Sequence, residues 1–435
     1  MSFNQIINNI LLSKRVKFLE EKEKKYQNFF GKNELIFSHQ VNEFNKIWSY
    51  AVENIKFYSD YSVKHKLPTK IEKLSQLHNF PIITKEQLVD YFSLVENKFY
   101  LNSQIKTGGS SGKPASFPFD SKDHDSSWSR SYLGRGRLGI KPFHSTALVW
   151  GHSHLFEKNL SGKIKYYIRK LKDYQLNTIR LSAYDISDDS IESYINIIKS
   201  KNIRFLIGYT SCVVKIALKI LEMNNNTVFD NLQSVVVTAE NTHKADIRII
   251  ESAFNVKCDI EYGMAEAGVL GYSCNSCKVI NFFWDDFIYQ TNENNNLIIT
   301  SIYNRYFPLI RYDTNDIVEN EMTTDSLLST NRIVGRSNDN LEILVNSKKI
   351  TVHSEFFTHI LKSIDNVQDF LIVQKDLNIN IYYVSSNKDL SKVFFSKLEK
   401  EYKSINKEYF RFIDTKEINK PSSPSGKKKW VIVEK

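Results

Sequence analysis

Cysteine is scarce, with four in 435 residues. That is too few for a disulfide framework in a chain of this size. Cys274 and Cys277 form one CxxC, with Cys258 upstream and Cys212 further off. A single CxxC, without a second pair or a His at finger spacing, does not specify a zinc finger. Long apolar runs are also missing, so no stretch reads as a membrane span. The N-terminus, MSFNQIINNILLSKRVKFLEEKEKK, has no charged segment followed by a long apolar core and a cleavage site. It reads as an unprocessed helix, and a cytoplasmic chain is expected. There is no internal repeat and no long low-complexity segment.

What is present is ordinary for a globular protein: 41% hydrophobic and 25% charged residues, with 28 Phe and 23 Tyr. At 435 residues the chain can form more than one domain. The 59 Lys and Arg exceed the 49 Asp and Glu, a net charge of +10. The lysines are spread widely and no nucleic-acid recognition motif accompanies them, so anionic small molecules or simple solubility account for the charge and nucleic acid is not expected.

One stretch stands out: Lys106-Thr107-Gly108-Gly109-Ser110-Ser111-Gly112-Lys113-Pro114. Glycines let backbone N–H groups turn toward an anion, hydroxyls add donors, and lysine adds a point charge. It is not a Walker A loop, because the four-residue gap and the Ser or Thr after the lysine are lacking. Taken singly it is either a phosphate-holding loop or a flexible polar turn.

Residues 1–60 read as helices. Thr84 reads as the N-cap of a helix KEQLVDYF. HDSSWSRSYLGRGRLGI is helical. From residue 145 strands alternate with helices: STALVWG, DDSIESYINIIKS, IRFLIGY, SCVVKIALKILEMN, LQSVVVTAE, HKADIRIIESAFN, VKCDIEYG. That alternation, with continuous apolar strands, predicts a parallel sheet covered on both faces. NNNLIITSI and PLIRYDT add an antiparallel β portion. Beyond Gly335-Arg336 come a hairpin, a helix, a second hairpin, a helix, and short strands at EYFRFID and WVIVEK. This is a compact α+β unit of normal domain size. The boundary is set at 334–338, giving domains 1–334 and 335–435.

Four further motifs carry chemistry. Glu261-Tyr262-Gly263-Met264-Ala265-Glu266 falls at the carboxyl end of a strand, where open parallel sheets bind ligands. A carboxylate there can hold Mg²⁺, and a tyrosine can stack on a base. Arg311-Tyr312-Asp313-Thr314-Asn315-Asp316 places an Asp that can accept both hydroxyls of a ribose. Gly335-Arg336-Ser337-Asn338-Asp339 lies at the domain junction. Ser423-Pro424-Ser425-Gly426-Lys427 puts a lysine on a glycine turn near the C-terminus.

The order and spacing of these five motifs resemble the adenylate-forming superfamily of acyl- and aryl-CoA ligases. The likeness is strongest to the phenylacetate–CoA ligase branch and its relatives in capsular polysaccharide gene clusters. It includes Phe80-Pro81-Ile82-Ile83-Thr84-Lys85, Trp150-Gly151-His152-Ser153-His154 and the strand VVVTAEN. The resemblance implies a large N-terminal α/β domain and a small, mobile C-terminal domain. It implies a two-step reaction in which ATP and a carboxylic acid give an acyl-adenylate and pyrophosphate, after which a thiol, usually that of coenzyme A, takes the acyl group.

On that resemblance, Thr107, Gly108, Gly109, Ser110, Ser111, Gly112 and Lys113 form the loop over the ATP β- and γ-phosphates. Ala239, Glu240 and Tyr262 flank adenine, and Glu266 ligates Mg²⁺. Asp316 binds the ribose hydroxyls with Arg336 assisting, and Lys427 reaches the α-phosphate and the attacking carboxylate. His152 and His154 either line the acyl pocket or are structural. Cys274 and Cys277 are candidate Zn²⁺ ligands, because branch members often carry Cys and His there. The small domain is expected to rotate about residue 338.

The chain departs from the pattern in three places. Asn315 stands where glycine is usual, Asn338 where the hinge is Asp or Lys, and Val345–Ile350 where a glycine-rich segment helps accept the thiol. The resemblance therefore carries adenylation more fully than transfer to coenzyme A. Alternatives to a CoA ligase are transfer to a carrier-protein thiol or an amino sugar, and a non-catalytic nucleotide-binding relative. The presence of Glu266 and Lys427 argues against the last. The acid and the oligomeric state stay open.

Overall fold

The computed structural model describes residues 13–94, 104–106, 116–150, 160–183, 187–223, 229–273, 279–319, 326–336, 340–353, 357, 358, 360, 361, 364, 366–386, 390–418 and 430–434. Helices α1 (Ser13–Phe29), α2 (Asn33–Asn54) and α3 (Lys56–His65) open the chain. Helix α4 (Lys85–Leu94) starts where Thr84 predicts it. The Thr84 N–H donates to Gln87 Oε1 at 2.8 Å, and the Gln87 N–H returns to Thr84 Oγ1 at 3.4 Å.

Strands β1 (Gln104–Lys106) and β2 (Ser116–Pro118) form an antiparallel pair, followed by α5 (Ser121–Gly136). The main sheet has eight strands. Its parallel part runs β4 (Thr178–Ser182), β3 (Thr146–Trp150), β5 (Phe205–Tyr209), β6 (Ser234–Thr238), β7 (Lys257–Met264). Antiparallel strands β8 (Gly268–Ser273), β9 (Ile280–Phe282) and β13 (Ser329–Thr330) extend it beyond β7. Every residue of β5 and β6 is buried, as continuous apolar strands between two helical layers must be.

One face is covered by α7 (Asp188–Ser200), α8 (Thr210–Glu222) and α9 (Lys244–Phe254), each amphipathic. Ile191, Ile195 and Ile198 of α7 show the helical spacing of a buried stripe. The other face packs Phe205, Ile207, Val236 and Tyr272 against Leu133 of α5 and Leu19 of α1. A helix α6 (Leu160–Gln175), not anticipated from the sequence, precedes the edge strand β4, which was also missed.

A second, antiparallel sheet has the order β10 (Phe287–Thr291), β11 (Asn296–Ser301), β12 (Tyr312–Glu319), β14 (Arg332–Arg336). It confirms the antiparallel portion expected from NNNLIITSI and PLIRYDT. Its core includes Phe44, Trp48 and Tyr58 from the N-terminal helices and Phe80 from the segment before α4.

The C-terminal part is separate in its core, which runs from Leu341 to Val431. It holds the hairpin β15 (Asn340–Val345) and β16 (Lys348–His353), helical residues 357, 358, 360 and 361, and a four-stranded sheet. That sheet orders β19 (Phe410–Asp414), β18 (Asn378–Ser385), β17 (Val367–Lys375) and β20 (Val431–Glu434), with α10 (Leu390–Glu401) among its helices. Among the described residues no helix is long and apolar enough to cross a membrane.

Candidate active site

The described site residues gather where the two large sheets meet. In the parallel sheet Thr238 pairs with Glu261, so Ala239 and Tyr262 follow side by side at the carboxyl ends of β6 and β7. Ala239 has φ +69, a left-handed conformation that an alanine adopts at a cost of about 1 kcal/mol. That turn sends Glu240 back to α8, where its carboxylate accepts from the Ser211 N–H at 2.7 Å and the Ser211 hydroxyl at 3.1 Å. An anion at a helix N-terminus satisfies donors that have no partner within the helix. The next residue, Asn241, donates to the Val334 carbonyl on β14 at 2.9 Å.

Glu266 follows β7 in a turn shaped by close packing. A Cβ on Gly263 would sit 2.6 Å from the Gly268 carbonyl oxygen. Gly268 has φ +74 and lies against Ser127, leaving no room for a side chain. The carbonyls of this turn are held by two buried arginines. Arg305 donates to Glu266 O at 3.0 Å, and Arg130 donates to Ala267 O at 2.7 Å and Val269 O at 2.6 Å. Arg305 is itself paired with Asp123 of α5 at 3.0 Å. The Glu266 side chain, 8% exposed, accepts from the Tyr312 hydroxyl at 2.8 Å through Oε1.

Asp316 lies on β12, directly opposite Arg336 of β14 in the antiparallel register. Its Oδ2 accepts from the Tyr262 hydroxyl at 2.8 Å. Tyr262 thus ties β7 to β12. Between Asp316 and the preceding motif, Ile83 bridges Tyr312, with Ile83 N–H to Arg311 O and Asp313 N–H to Ile83 O, both at 2.9 Å. The Arg311 guanidinium binds the carbonyls of Leu77 and Phe80. The stretch Phe80–Lys85 therefore docks on the 311–316 motif.

The ends of the glycine-rich loop are held together, Lys106 pairing with Ser116 across β1 and β2. Phe117 of β2 packs edge-on against Tyr312, with ring centroids 6.3 Å apart. The base of the loop therefore stands next to the tyrosine that holds Glu266. Thr107, Gly108, Gly109, Ser110, Ser111, Gly112 and Lys113 lie outside the described residues, as do His152, His154, Cys274, Cys277, Asn338 and Lys427. Of the expected site, Ala239, Glu240, Tyr262, Glu266, Asp316 and the backbone of Arg336 come together. Tyr312, Arg305, Arg130 and Asp123 had no assigned role from the sequence. The one available signal was the repeated spacing of a tyrosine four residues before an acid, at Tyr262/Glu266 and Tyr312/Asp316.

The fold is that of the adenylate-forming ligases. It matches 2-hydroxyisobutyryl-CoA ligase, solved in its postadenylation state with R3-HIB-AMP, at a TM-score of 0.69 and 13% identity, over 91% of this chain and 89% of that one. Among curated proteins, Protein CapK of Staphylococcus aureus is 29% identical over 415 residues, 91% of this chain and 89% of CapK. Indoleacetate–lysine synthetase of Pseudomonas savastanoi is 30% identical over 142 residues, 32% of this chain and 35% of that protein. No family model matches. The resemblance read from the five motifs holds in fold and in relatives.

Proposed function

We propose that this chain is an AMP-forming ligase that activates a carboxylic acid as its acyl-adenylate and then passes the acyl group to a nucleophile. The observation that carries the reading is the convergence of Tyr262, Glu266 and Asp316, with Ala239–Glu240 and Arg336, at one end of the parallel sheet. Tyr262 offers a ring to adenine, and the Asp316 carboxylate is an acceptor for ribose hydroxyls. Glu266 suits Mg²⁺, a hard cation bound through one or two carboxylates plus substrate phosphates. Among the described residues there is no group of three or more His, Cys, Asp or Glu that would make a cage of its own. When bound, Mg²⁺ would neutralise charge developing on the phosphates. The glycine loop would hold the pyrophosphate side of ATP, and Lys427 the α-phosphate. The small domain, taken as 335–435, would turn about residue 338 to exchange Lys427 for a face that admits the acceptor. Closure of that kind excludes water from a hydrolysable adenylate.

The acceptor of the first reading is the thiol of coenzyme A. A second reading, transfer to an amine such as an amino sugar, is supported by the segment where a glycine-rich stretch is usual. Here β15 and β16 are closed by a two-residue turn, Asn346 and Ser347, at φ +49 and +61. Such a tight hairpin replaces an open glycine loop. The partial relative, a synthetase named for joining indoleacetate to lysine, supports an amine in the same way.

ATP–pyrophosphate exchange across a panel of carboxylic acids tests the shared step. Exchange with at least one acid is expected. Folded protein that binds ATP yet exchanges with none would leave the non-catalytic relative. Adding coenzyme A, a carrier protein or amines to the active acid, and weighing the product, separates the acceptors. Lys427→Ala is expected to abolish exchange and to spare transfer from a supplied adenylate.

A further inference from the structure

We propose that Tyr312 is a positioning residue for Glu266, one half of a crossed pair of tyrosine–carboxylate bonds that fixes the metal-side and ribose-side carboxylates relative to each other. The proposal rests on the roles given to Glu266 and Asp316 above. Tyr262 and Glu266 are four residues apart on β7 and its turn, and Tyr312 and Asp316 are four apart on β12. Each tyrosine hydroxyl donates to the acid of the other segment, both at 2.8 Å. The two segments belong to different sheets, so the bonds cross the seam between them. All four side chains are buried, Tyr312 at 1% exposure and the others at 7–8%.

The setting of Tyr312 leaves its hydroxyl little freedom. Its ring is held edge-on by Phe117, and its backbone bridges Ile83. The main chain of Glu266 is fixed separately by Arg305. With Oε1 bonded to the tyrosine, the carboxylate is turned so that Oε2 is the oxygen left to meet a cation. A ligand oriented in advance by a neighbouring hydrogen bond loses less rotamer freedom on binding, and removing such outer partners typically weakens metal binding about 10–100-fold. Because Tyr262 already belongs to the nucleotide site, the test falls on Tyr312.

The experiment measures the Mg²⁺ concentration that half-saturates ATP binding, the direct binding of Mn²⁺ in the presence of ATP, and the binding of AMP without metal. In Tyr312→Phe the metal requirement is expected to rise about tenfold, with AMP affinity within about twofold of the parent. Phe117→Leu, which frees the tyrosine ring, is expected to move the requirement in the same direction by less, and it serves alone if Tyr312→Phe does not fold. Tyr289→Phe removes another buried hydroxyl of the same core, bonded to the Leu270 carbonyl, and is expected to leave the requirement unchanged. An unchanged requirement in Tyr312→Phe overturns the proposal, as does an equal loss of AMP and metal binding or an equal shift in Tyr289→Phe. Glu266→Gln separates the two levels. If it raises the requirement and Tyr312→Phe does not, only the positioning role falls. If it leaves the requirement unchanged, the metal assignment falls and the positioning role with it.

Discussion

Asn315 occupies a left-handed position in β12, at φ +58, and its N–H donates to Asp313 Oδ1 at 2.7 Å. The next N–H, that of Asp316, donates to Thr314 Oγ1 at 3.1 Å. This kink aims Asp316 at Tyr262. Glycine, usual here in the superfamily that the chain resembles, and asparagine both tolerate that conformation, so the departure preserves the backbone. Asn315→Gly should unfold in urea within ~1 kcal/mol of the parent, whereas Asn315→Val should lose about 1–2 kcal/mol and weaken ATP binding. Equal stability of the two variants would mean that the kink is not needed. Asp259 shows a different residue-scale effect. It is 2% exposed, and burial lifts its carboxyl to about 6, with Ser273 and Lys257 pulling it back and Glu251 adding to the rise. The folded chain therefore holds this proton more tightly than the unfolded one. The associated stability is complete below about pH 4 and is lost as pH rises to about 6, on the order of 2–3 kcal/mol. In Asp259→Asn that slope should be absent from denaturation midpoints measured between pH 4 and 7. A slope as steep as the parent's would assign it to other groups.

Helix α5 reaches the turn after β7 through Arg130, whose Nη1 also meets Asp286 at 2.5 Å. Lys22 of α1 contacts Asp285 at 2.5 Å and Asp286 at 2.7 Å, and the Tyr26 hydroxyl donates to Asp285 at 2.9 Å. Burial opposes charge on Asp286, but Lys22 and Arg130 hold its carboxyl well below the usual range. Removing one partner of such a buried set leaves an uncompensated charge, so Arg130→Met should lose about 3–5 kcal/mol. It should also free the carbonyls of Ala267 and Val269, and pyrophosphate exchange should fall further than the folded fraction, measured on the same sample by circular dichroism. Exchange in proportion to the folded fraction would limit Arg130 to stability. The elements that set the fold were legible because their signals are local. Helices α7 and α9 and strands β5 and β6 appear in the sequence as periodic or continuous apolar runs within a residue or two of their bounds. The network was not legible, because Arg130 sits in a polar stretch and its partner Asp286 lies 156 residues away. Nothing in chain spacing encodes a contact at that separation. For the same reason the sequence showed Tyr262, Glu266 and Asp316 but not the tyrosine–carboxylate bonds they take part in, across 46 and 54 residues. Helix α6 was missed along with β4.

At the scale of the whole molecule, the C-terminal part carries its own core and meets the large part near Ala239 and Glu240. His243 caps α9, a few residues after Ala239 and Glu240, and its Nε2 lies 3.5 Å from Thr358 Oγ1. Both are buried, at 6% and 5% exposure. A contact between the two parts can exist in only one of two arrangements if the small domain rotates as proposed. At 3.5 Å the bond is weak, and its loss should change overall stability by no more than about 1 kcal/mol. Its effect on the balance between arrangements is the same energy applied to a different equilibrium, where ~1 kcal/mol is about a fivefold change in population. Thr358→Val keeps the side-chain shape and removes the hydroxyl. It should move the two half-reactions in opposite directions, adenylation measured by pyrophosphate exchange and acyl transfer measured from a supplied adenylate, with the melting temperature nearly constant. If both rates fall together, or neither moves, the His243–Thr358 contact does not distinguish the arrangements, and the rotation must be sought at other contacts between the two parts.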